Sequence, residues 1–230
     1  MGVEGISRVG VVGSGQMGAG IAQVAAQAGH AVMLFDMREG AAAEAISSID
    51  RQLAKRVEKG KLDAQTRTAV VARLQPAASI EALADAHLVI EAIVENLEVK
   101  RALFSQLETL CSADCILASN TSSLSVTALA AGMQHPQRIV GMHFFNPAPV
   151  MALVEVVSGL ATDPAIAQCI HRTAAAWGKK PVHTRSTPGF IVNRVARPFY
   201  AENLRALQEG AASCATLDAL MREAGAFRMG

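Results

Sequence analysis

Arg8–Asp36 reads RVGVVGSGQMGAGIAQVAAQAGHAVMLFD. Val9–Val12 is a short apolar run of the length of a buried strand. Gly13-Ser14-Gly15-Gln16-Met17-Gly18 follows, then a Pro-free, Ala- and Gln-rich stretch that reads as a helix stopped by Gly29. A second apolar run, Ala31–Phe35, ends in Asp36. Strand, glycine-rich turn, helix, strand and acid in that order make a dinucleotide-binding fingerprint. Gly13 permits the tight turn, Gly15 lets a pyrophosphate approach the backbone, and Gly18 lets helix and strand pack closely. The helix start then aims N–H groups and a positive dipole end at the phosphates. Asp36 stands 18 residues after Gly18, close to the ~20 typical of the ribose-binding acid. A carboxylate there accepts from a 2′-hydroxyl and repels a 2′-phosphate, which favours NAD over NADP. Arg38 admits two readings, a holder of that phosphate or a solvated side chain.

The expected fold is therefore α/β, a Rossmann-type doubly wound sheet. At 230 residues the chain has room for one such domain and a smaller piece, and a hydrophobic content of 51% suits a well-buried sheet. A net charge of +1 argues against nucleic acid as a partner. No apolar run reaches the ~18–20 residues of a membrane span, so no membrane partner is expected. MGVEGISR lacks the basic and apolar regions of a signal peptide, which points to the cytoplasm. Cys111, Cys115, Cys169 and Cys214 show no metal-site spacing and are expected to be reduced and structural, with no metal bound.

After Asp36 a plain unit of this fold would soon give a strand. Instead residues 38–74 read as a helical hairpin, with a stripe at Ala45, Ile49, Leu53 and Val57, a break at Gly60, and a second helix from Asp63 through Val70 and Leu74. Lys55, Arg56, Lys59 and Lys61 cluster near the bend, either as a solvated face or as a seat for an anionic substrate handle. His87–Ile93 reads as a strand, Glu95, Asn96 and Glu98 lead a helix, and Cys115–Ala118 is another strand. It exits into Ser119-Asn120-Thr121-Ser122-Ser123. Ligands of open parallel sheets sit beyond the strands' carboxyl ends, so Glu95 and Ser122 belong on the rim that carries Gly15. The serines also suit helix capping, with Ser123 or Ser125 as cap.

Ile139–Phe145 and Leu153–Val157 read as strands flanking Asn146-Pro147-Ala148-Pro149. Paired antiparallel about Pro149, they set His143 opposite Glu155, each six residues away. Cross-strand partners have Cβ atoms ~4.5–5.5 Å apart, so imidazole and carboxylate can hydrogen-bond in an apolar setting. A structural buried pair and a catalytic one both fit that spacing. Beyond them come a helix over Asp163–Trp177, a last strand over Pro181–Thr184, and a boundary at Ser186-Thr187-Pro188-Gly189. Phe190–Leu207 reads as a helix kinked before Pro198, and Ala215–Glu223 as another. The expected domains are 1–187 and 188–230, the second too short for a core of its own.

Five blocks resemble the 3-hydroxyacyl-CoA dehydrogenases in order and spacing: VGVVGSGQMGAGIA, LVIEAIVENLEVK, ASNTSSLSVTALA, GMHFFNPAPVMALVEVV and STPGFIVNRV. VSGLAT and TPGFIVNRVARPFY look most like the bacterial 3-hydroxybutyryl- or 3-hydroxyadipyl-CoA dehydrogenases of phenylacetate breakdown. The resemblance implies NAD-dependent oxidation of a (3S)-3-hydroxyacyl-CoA, with His143 as base, Glu155 as its orienting carboxylate, and Ser122 and Asn193 on the substrate. It also implies cofactor contacts from Gly13, Ser14, Gly15, Gln16, Met17, Gly18, Asp36, Glu95, Lys100, Ser122 and Asn146. Lys59 aligns with a lysine that meets CoA phosphates. A free imidazole titrates near ~6.5, which suits a general base at working pH.

The family continues past a GFPMGPFEL-like segment into further helices, whereas this chain reads Ala226-Phe227-Arg228-Met229-Gly230. The second domain is thus expected to be an incomplete all-α substrate and dimerisation domain, with a homodimer expected for a full-length form. Two rivals follow: a non-catalytic NAD-binding module, and a β-hydroxyacid dehydrogenase with a catalytic lysine, which the HFFNP block and the His/Glu spacing oppose.

Overall fold

The computed structural model describes residues 5–229; Met1–Glu4, half of the N-terminal stretch discussed above, and Gly230 lie outside the described residues. The chain divides into two units, Met1–Pro188 and Gly189–Gly230.

The first unit is built from the opening fingerprint outward. The apolar run forms β1 (Arg8–Val12), the Ala-rich stretch α1 (Gln16–Gln27), and the second run β2 (Ala31–Phe35). The inserted hairpin is α2 (Ala41–Glu58) and α3 (Ala64–Ala72), the latter capped by Asp63, which accepts from Thr66 N. Ile49, Leu53 and Val70 are its buried stripe. The hairpin ends earlier than its helical pattern suggests. Leu74 is not helical but opens β3 (Leu74–Pro76), which pairs with β2 at the sheet edge. Pro76 suits that place, because an edge strand tolerates a missing donor.

The remaining elements are β4 (Leu88–Glu91), α4 (Leu97–Leu110), β5 (Ile116–Ser119), α5 (Val126–Ala130), β6 (Ile139–Phe144), β7 (Leu153–Ser158), α6 (Pro164–Ala176) and β8 (Lys180–Arg185). One sheet of eight strands runs β3-β2-β1-β4-β5-β6-β7-β8. Strands from β3 to β6 are parallel, β7 is antiparallel to β6, and β8 is parallel to β7. The order reverses between β1 and β4, so the carboxyl ends of β1, β4, β5 and β6 open on one edge at a topological switch point. Strands buried on both faces read as unbroken apolar runs; Val9, Val11, Leu88, Ile90, Leu117 and Val140 are all buried.

The second unit holds α7 (Val192–Gln208) and α8 (Cys214–Glu223), neither of which buries a residue among those described. An apolar groove of about 900 Å³ runs along it, lined by Val195, Phe199, Leu204, Leu217 and Met221 among others. No described helix is long and apolar enough to cross a membrane.

Candidate active site

The turn after β1 is closed by Gly13 N donating to Phe35 O (2.8 Å). Gly13 has a φ of +98°, and a Cβ there would stand 2.5 Å from Ala92 O. At Gly18 a Cβ would meet Gly13 O at 1.8 Å. Gly15 differs: nothing lies within 4 Å of its missing Cβ. It caps α1 without a side-chain hydrogen bond, and the first turn of α1 holds no acid. A helix start of this kind leaves N–H groups and the positive dipole end for an anion. Open backbone space over Gly15 with uncapped N–H groups beside it is what a pyrophosphate needs, so the residues fit a dinucleotide.

Asp36 is wired into the same turn. Its Oδ2 accepts from Ser14 N (2.8 Å) and Ser14 Oγ (2.6 Å), and its Oδ1 from Arg38 N (2.9 Å). Burial pushes the carboxyl upward, but these hydrogen bonds and the Arg38 guanidinium outweigh it and hold Asp36 below its ordinary value. A depressed folded-state value means the ionised group stabilises the turn above the usual carboxylate range and loses that effect as pH falls through it. Each carboxylate oxygen has two lone pairs, so Asp36 retains capacity for a ribose hydroxyl. Arg38 is exposed and faces Glu44 at 3.6 Å. Asp36→Ala is expected to weaken NADH binding about tenfold, the order of a hydrogen bond to a charged group, and to narrow the preference over NADPH. Paired fluorescence titrations with the two nucleotides measure both.

On the neighbouring rim, Asn96 caps α4 by accepting from Val99 N. Glu95 Oε1 accepts from Thr121 Oγ1 (2.6 Å) and Ser122 N (3.0 Å). Its Oε2 meets Lys100 Nζ at 3.0 Å. Burial raises the Glu95 carboxyl, yet the Thr121 hydroxyl and the Lys100 ammonium prevail and keep it low. Lys100 lies beneath the rim rather than on it: only 1% exposed, it also donates to Glu91 Oε1 (2.5 Å). Of the serines weighed as caps, Ser125 is the one that caps α5, accepting from Ala128 N.

His143 and Glu155 are register partners across β6 and β7. His143 Nδ1 lies 2.7 Å from Glu155 Oε2, both residues are buried, and the imidazole packs on Phe145 with ring centroids 4.5 Å apart. A carboxylate on Nδ1 fixes the tautomer with its lone pair on Nε2. His143 lies one residue before the end of β6, on the edge where the glycine turn opens. The loop after β6 closes on that turn. Asn146 Nδ2 donates to Gln16 Oε1 (3.3 Å), and Gly20 of α1 is glycine where a Cβ would meet Pro149 at 3.1 Å. Lys179 Nζ fastens the loop from behind, donating to Ala148 O and Met151 O.

The first unit thus gathers the Gly13–Gly18 turn, Asp36, Glu95, Lys100, Ser122, His143, Asn146 and Glu155 along one edge. Lys59 stands apart at the exposed tip of the hairpin, as C-cap of α2. Asn193 lies in the first turn of α7, in the second unit. Two residues of the rim escaped the motif reading. Glu91 ends β4 fully buried, and Asn120 accepts from Phe144 N (2.9 Å), tying the His143 strand to the loop after β5. A lone carboxylate inside the apolar run HLVIEAI is the signal that marks Glu91. Among the described residues no group of three or more His, Cys, Asp or Glu is placed to hold a metal ion.

A doubly wound sheet with an open glycine turn at its switch point and a buried His–Glu pair on the same edge fits the class of nicotinamide-dinucleotide dehydrogenases. Within it, the family model "3-hydroxyacyl-CoA dehydrogenase, NAD binding domain" matches residues 8–187, and "3-hydroxyacyl-CoA dehydrogenase, C-terminal domain" matches 189–230. The chain belongs to the 3-hydroxyacyl-CoA dehydrogenase family, and its first unit is that family's NAD-binding domain. It is 52% identical over 225 residues to the 3-hydroxyadipyl-CoA dehydrogenase of Escherichia coli K12, covering 98% of this chain and 47% of that protein. It is 42% identical over 217 residues to a probable 3-hydroxybutyryl-CoA dehydrogenase of Bacillus subtilis, covering 94% and 76%. The crystal structure of a 3-hydroxybutyryl-CoA dehydrogenase from E. coli superposes with a TM-score of 0.96 at 52% identity, covering 98% of this chain and 48% of that one. The chain thus spans about half the length of its E. coli relative and three-quarters of the B. subtilis one. Nothing in these comparisons favours a non-catalytic module.

Proposed function

We propose that the chain oxidises a (3S)-3-hydroxyacyl-CoA to the 3-oxoacyl-CoA, with NAD⁺ as hydride acceptor. The observation that carries this is the buried 2.7 Å His143–Glu155 pair on the sheet edge that also holds the glycine turn. NAD⁺, when bound, supplies the site that takes the hydride from C3. The protein's part is position and proton transfer. Residues Gly13–Gly18 seat the pyrophosphate at the start of α1, and Asp36 takes the ribose hydroxyl. Glu95 and Asn146, with Lys100 beneath, border the nicotinamide end. His143 removes the hydroxyl proton through Nε2 as the C3–H bond breaks, and Glu155 stabilises the imidazolium that forms. Within the first unit Ser122 holds the reacting oxygen and Lys59 meets the CoA phosphates; Asn193, in the second unit, keeps its assignment to the substrate from the family resemblance alone.

The names of the relatives support a short or dicarboxylic acyl chain. A cytoplasmic location belongs to the same proposal, as does a homodimer for a full-length form rather than for this short chain, the dimer supported by the apolar face of α7 and α8. The test follows NADH absorbance with acetoacetyl-CoA, the reaction in reverse. Consumption of NADH that depends on acetoacetyl-CoA is expected. NADH binding without turnover, in this chain and in a longer form alike, would overturn the proposal in favour of a binding module.

A further inference from the structure

Beneath the rim, Glu91 does work that the reaction scheme leaves unassigned. It closes β4 with no exposed surface, and both its oxygens are engaged. Oε1 accepts from Lys100 Nζ (2.5 Å) and Ile93 N (2.7 Å), and Oε2 accepts from Ser119 Oγ (2.6 Å). Ser119 is also fully buried, and its Oγ accepts in turn from Thr121 N (3.1 Å). Thr121 donates its hydroxyl to Glu95, and Lys100 returns from Glu95 to Glu91. A closed ring therefore runs Glu91, Ser119, Thr121, Glu95, Lys100 and back to Glu91. It joins three separate segments: the end of β4, the first turns of α4 and the exit of β5.

Only one member of the ring's charged trio reaches solvent. The Glu95 side chain is 38% exposed, whereas Lys100 and Glu91 are at 1% and 0%. Burying two carboxylates and an ammonium carries a desolvation penalty, and apolar replacements of such clusters are often no less stable. Bulk stability is thus a weak reason for a charge at position 91. The geometry gives a better one. The Lys100 ammonium stands between two carboxylates. With Glu91 charged it is drawn down as well as up, and Glu95 keeps its Oε1 on Thr121 and Ser122. With Glu91 neutral, the full pull of Lys100 falls on Glu95 and draws it inward, away from those partners. Ser119 loses its anionic acceptor in the same step, and the turn carrying Ser122 rests on Ser119.

We infer that Glu91 is a positioning residue: acting through Lys100 and Ser119, it fixes where Glu95 and Ser122 stand on the ligand rim. This rests on the proposed reading of Glu95 and Ser122 as ligand contacts.

The test is a double-mutant cycle read by NADH fluorescence titration, with thermal melts alongside. It uses wild type, Glu91→Gln, Lys100→Met and the double variant. Glu91→Gln is expected to weaken NADH binding about tenfold, as for loss of one hydrogen bond to a charged group. Once Lys100→Met is in place, only the Ser119 route remains, so adding Glu91→Gln is expected to weaken affinity clearly less than the tenfold it costs alone, since residues of one network are not additive. A merely structural role would lower the melting temperature and leave the affinity of the folded protein alone. Should Lys100→Met not fold, the cycle runs with Ser119→Ala, which removes one hydroxyl and for which the same non-additivity is expected. Wild-type affinity in folded Glu91→Gln, or effects that simply add in the cycle, overturns the inference while leaving the proposed function intact. A wild-type chain that does not bind NADH overturns the proposed function and the inference together.

Discussion

His143→Gln is expected to lower kcat for the proposed 3-hydroxyacyl-CoA oxidation by at least about 10²-fold, the lower figure for loss of a positioned base, while the dissociation constant for NADH stays within about twofold. The split follows from where the side chain stands. His143 projects from β6 onto Glu155 of β7, whereas the proposed pyrophosphate and ribose seat is built from other strands, by residues 13–18 after β1 and Asp36 after β2. Gln keeps a polar group of similar reach, so Glu155 is not left without a donor, and the burial cost of an unpaired carboxylate is avoided. What Gln cannot do is take a proton. Stopped-flow turnover and NADH titration on the same preparation separate the two effects. Equal losses in both would show that the pair serves the fold rather than the chemistry.

Gly18→Ala is the second large effect, and it acts on the opposite ledge of the site. The added Cβ would lie 1.8 Å from Gly13 O, a backbone atom of the turn itself. Neither partner is the end of a flexible side chain, so turn and helix must separate. Overpacking of this kind typically costs ~1–3 kcal/mol, and displacement of the start of α1 by about an ångström is the scale of misplacement that costs ~10²-fold in a positioned site. The expectation is a lower melting temperature together with NADH binding weakened on the order of a hundredfold. Gly15→Ala provides the contrast. Nothing in the protein lies within 4 Å of the new methyl, so the melting temperature should hold while NADH affinity falls. If Gly15→Ala instead lowered the melting temperature and left affinity unchanged, the open space over Gly15 would not be a ligand seat.

The frame of the site was legible because its signals are local or tied to a single turn. β1, the glycine turn, α1 and β2 follow one another within Arg8–Asp36. The His143–Glu155 contact was legible because a hairpin-like return sets register by counting from its middle, and each residue is six from Pro149. β3 was not legible. Leu74–Pro76 is three residues long and continues a helical pattern, and what makes it a strand is pairing with β2 at the edge, a partner 42 residues earlier. Contacts such as Asn146–Gln16, 130 residues apart, leave no periodic trace either. Lys100 shows a third limit. Its place in the first turns of α4 is local, but its burial between Glu91 and Glu95 depends on β5 packing beside β4. Spacing alone does not separate a lysine on a rim from one holding the rim up.

The proposed reaction requires a dinucleotide seated on Gly13–Gly18 to present its nicotinamide to the His143–Glu155 pair. A crystal structure of the chain with NAD⁺ measures this directly. The pyrophosphate is expected on the N–H groups at the start of α1 and the nicotinamide ring beside His143, spaced so that a substrate C3 between them sits at ~3–3.5 Å reacting distance. A nicotinamide ring lying away from the end of β6, or a His143 side chain turned off Glu155 when the cofactor is bound, would contradict the proposed reaction.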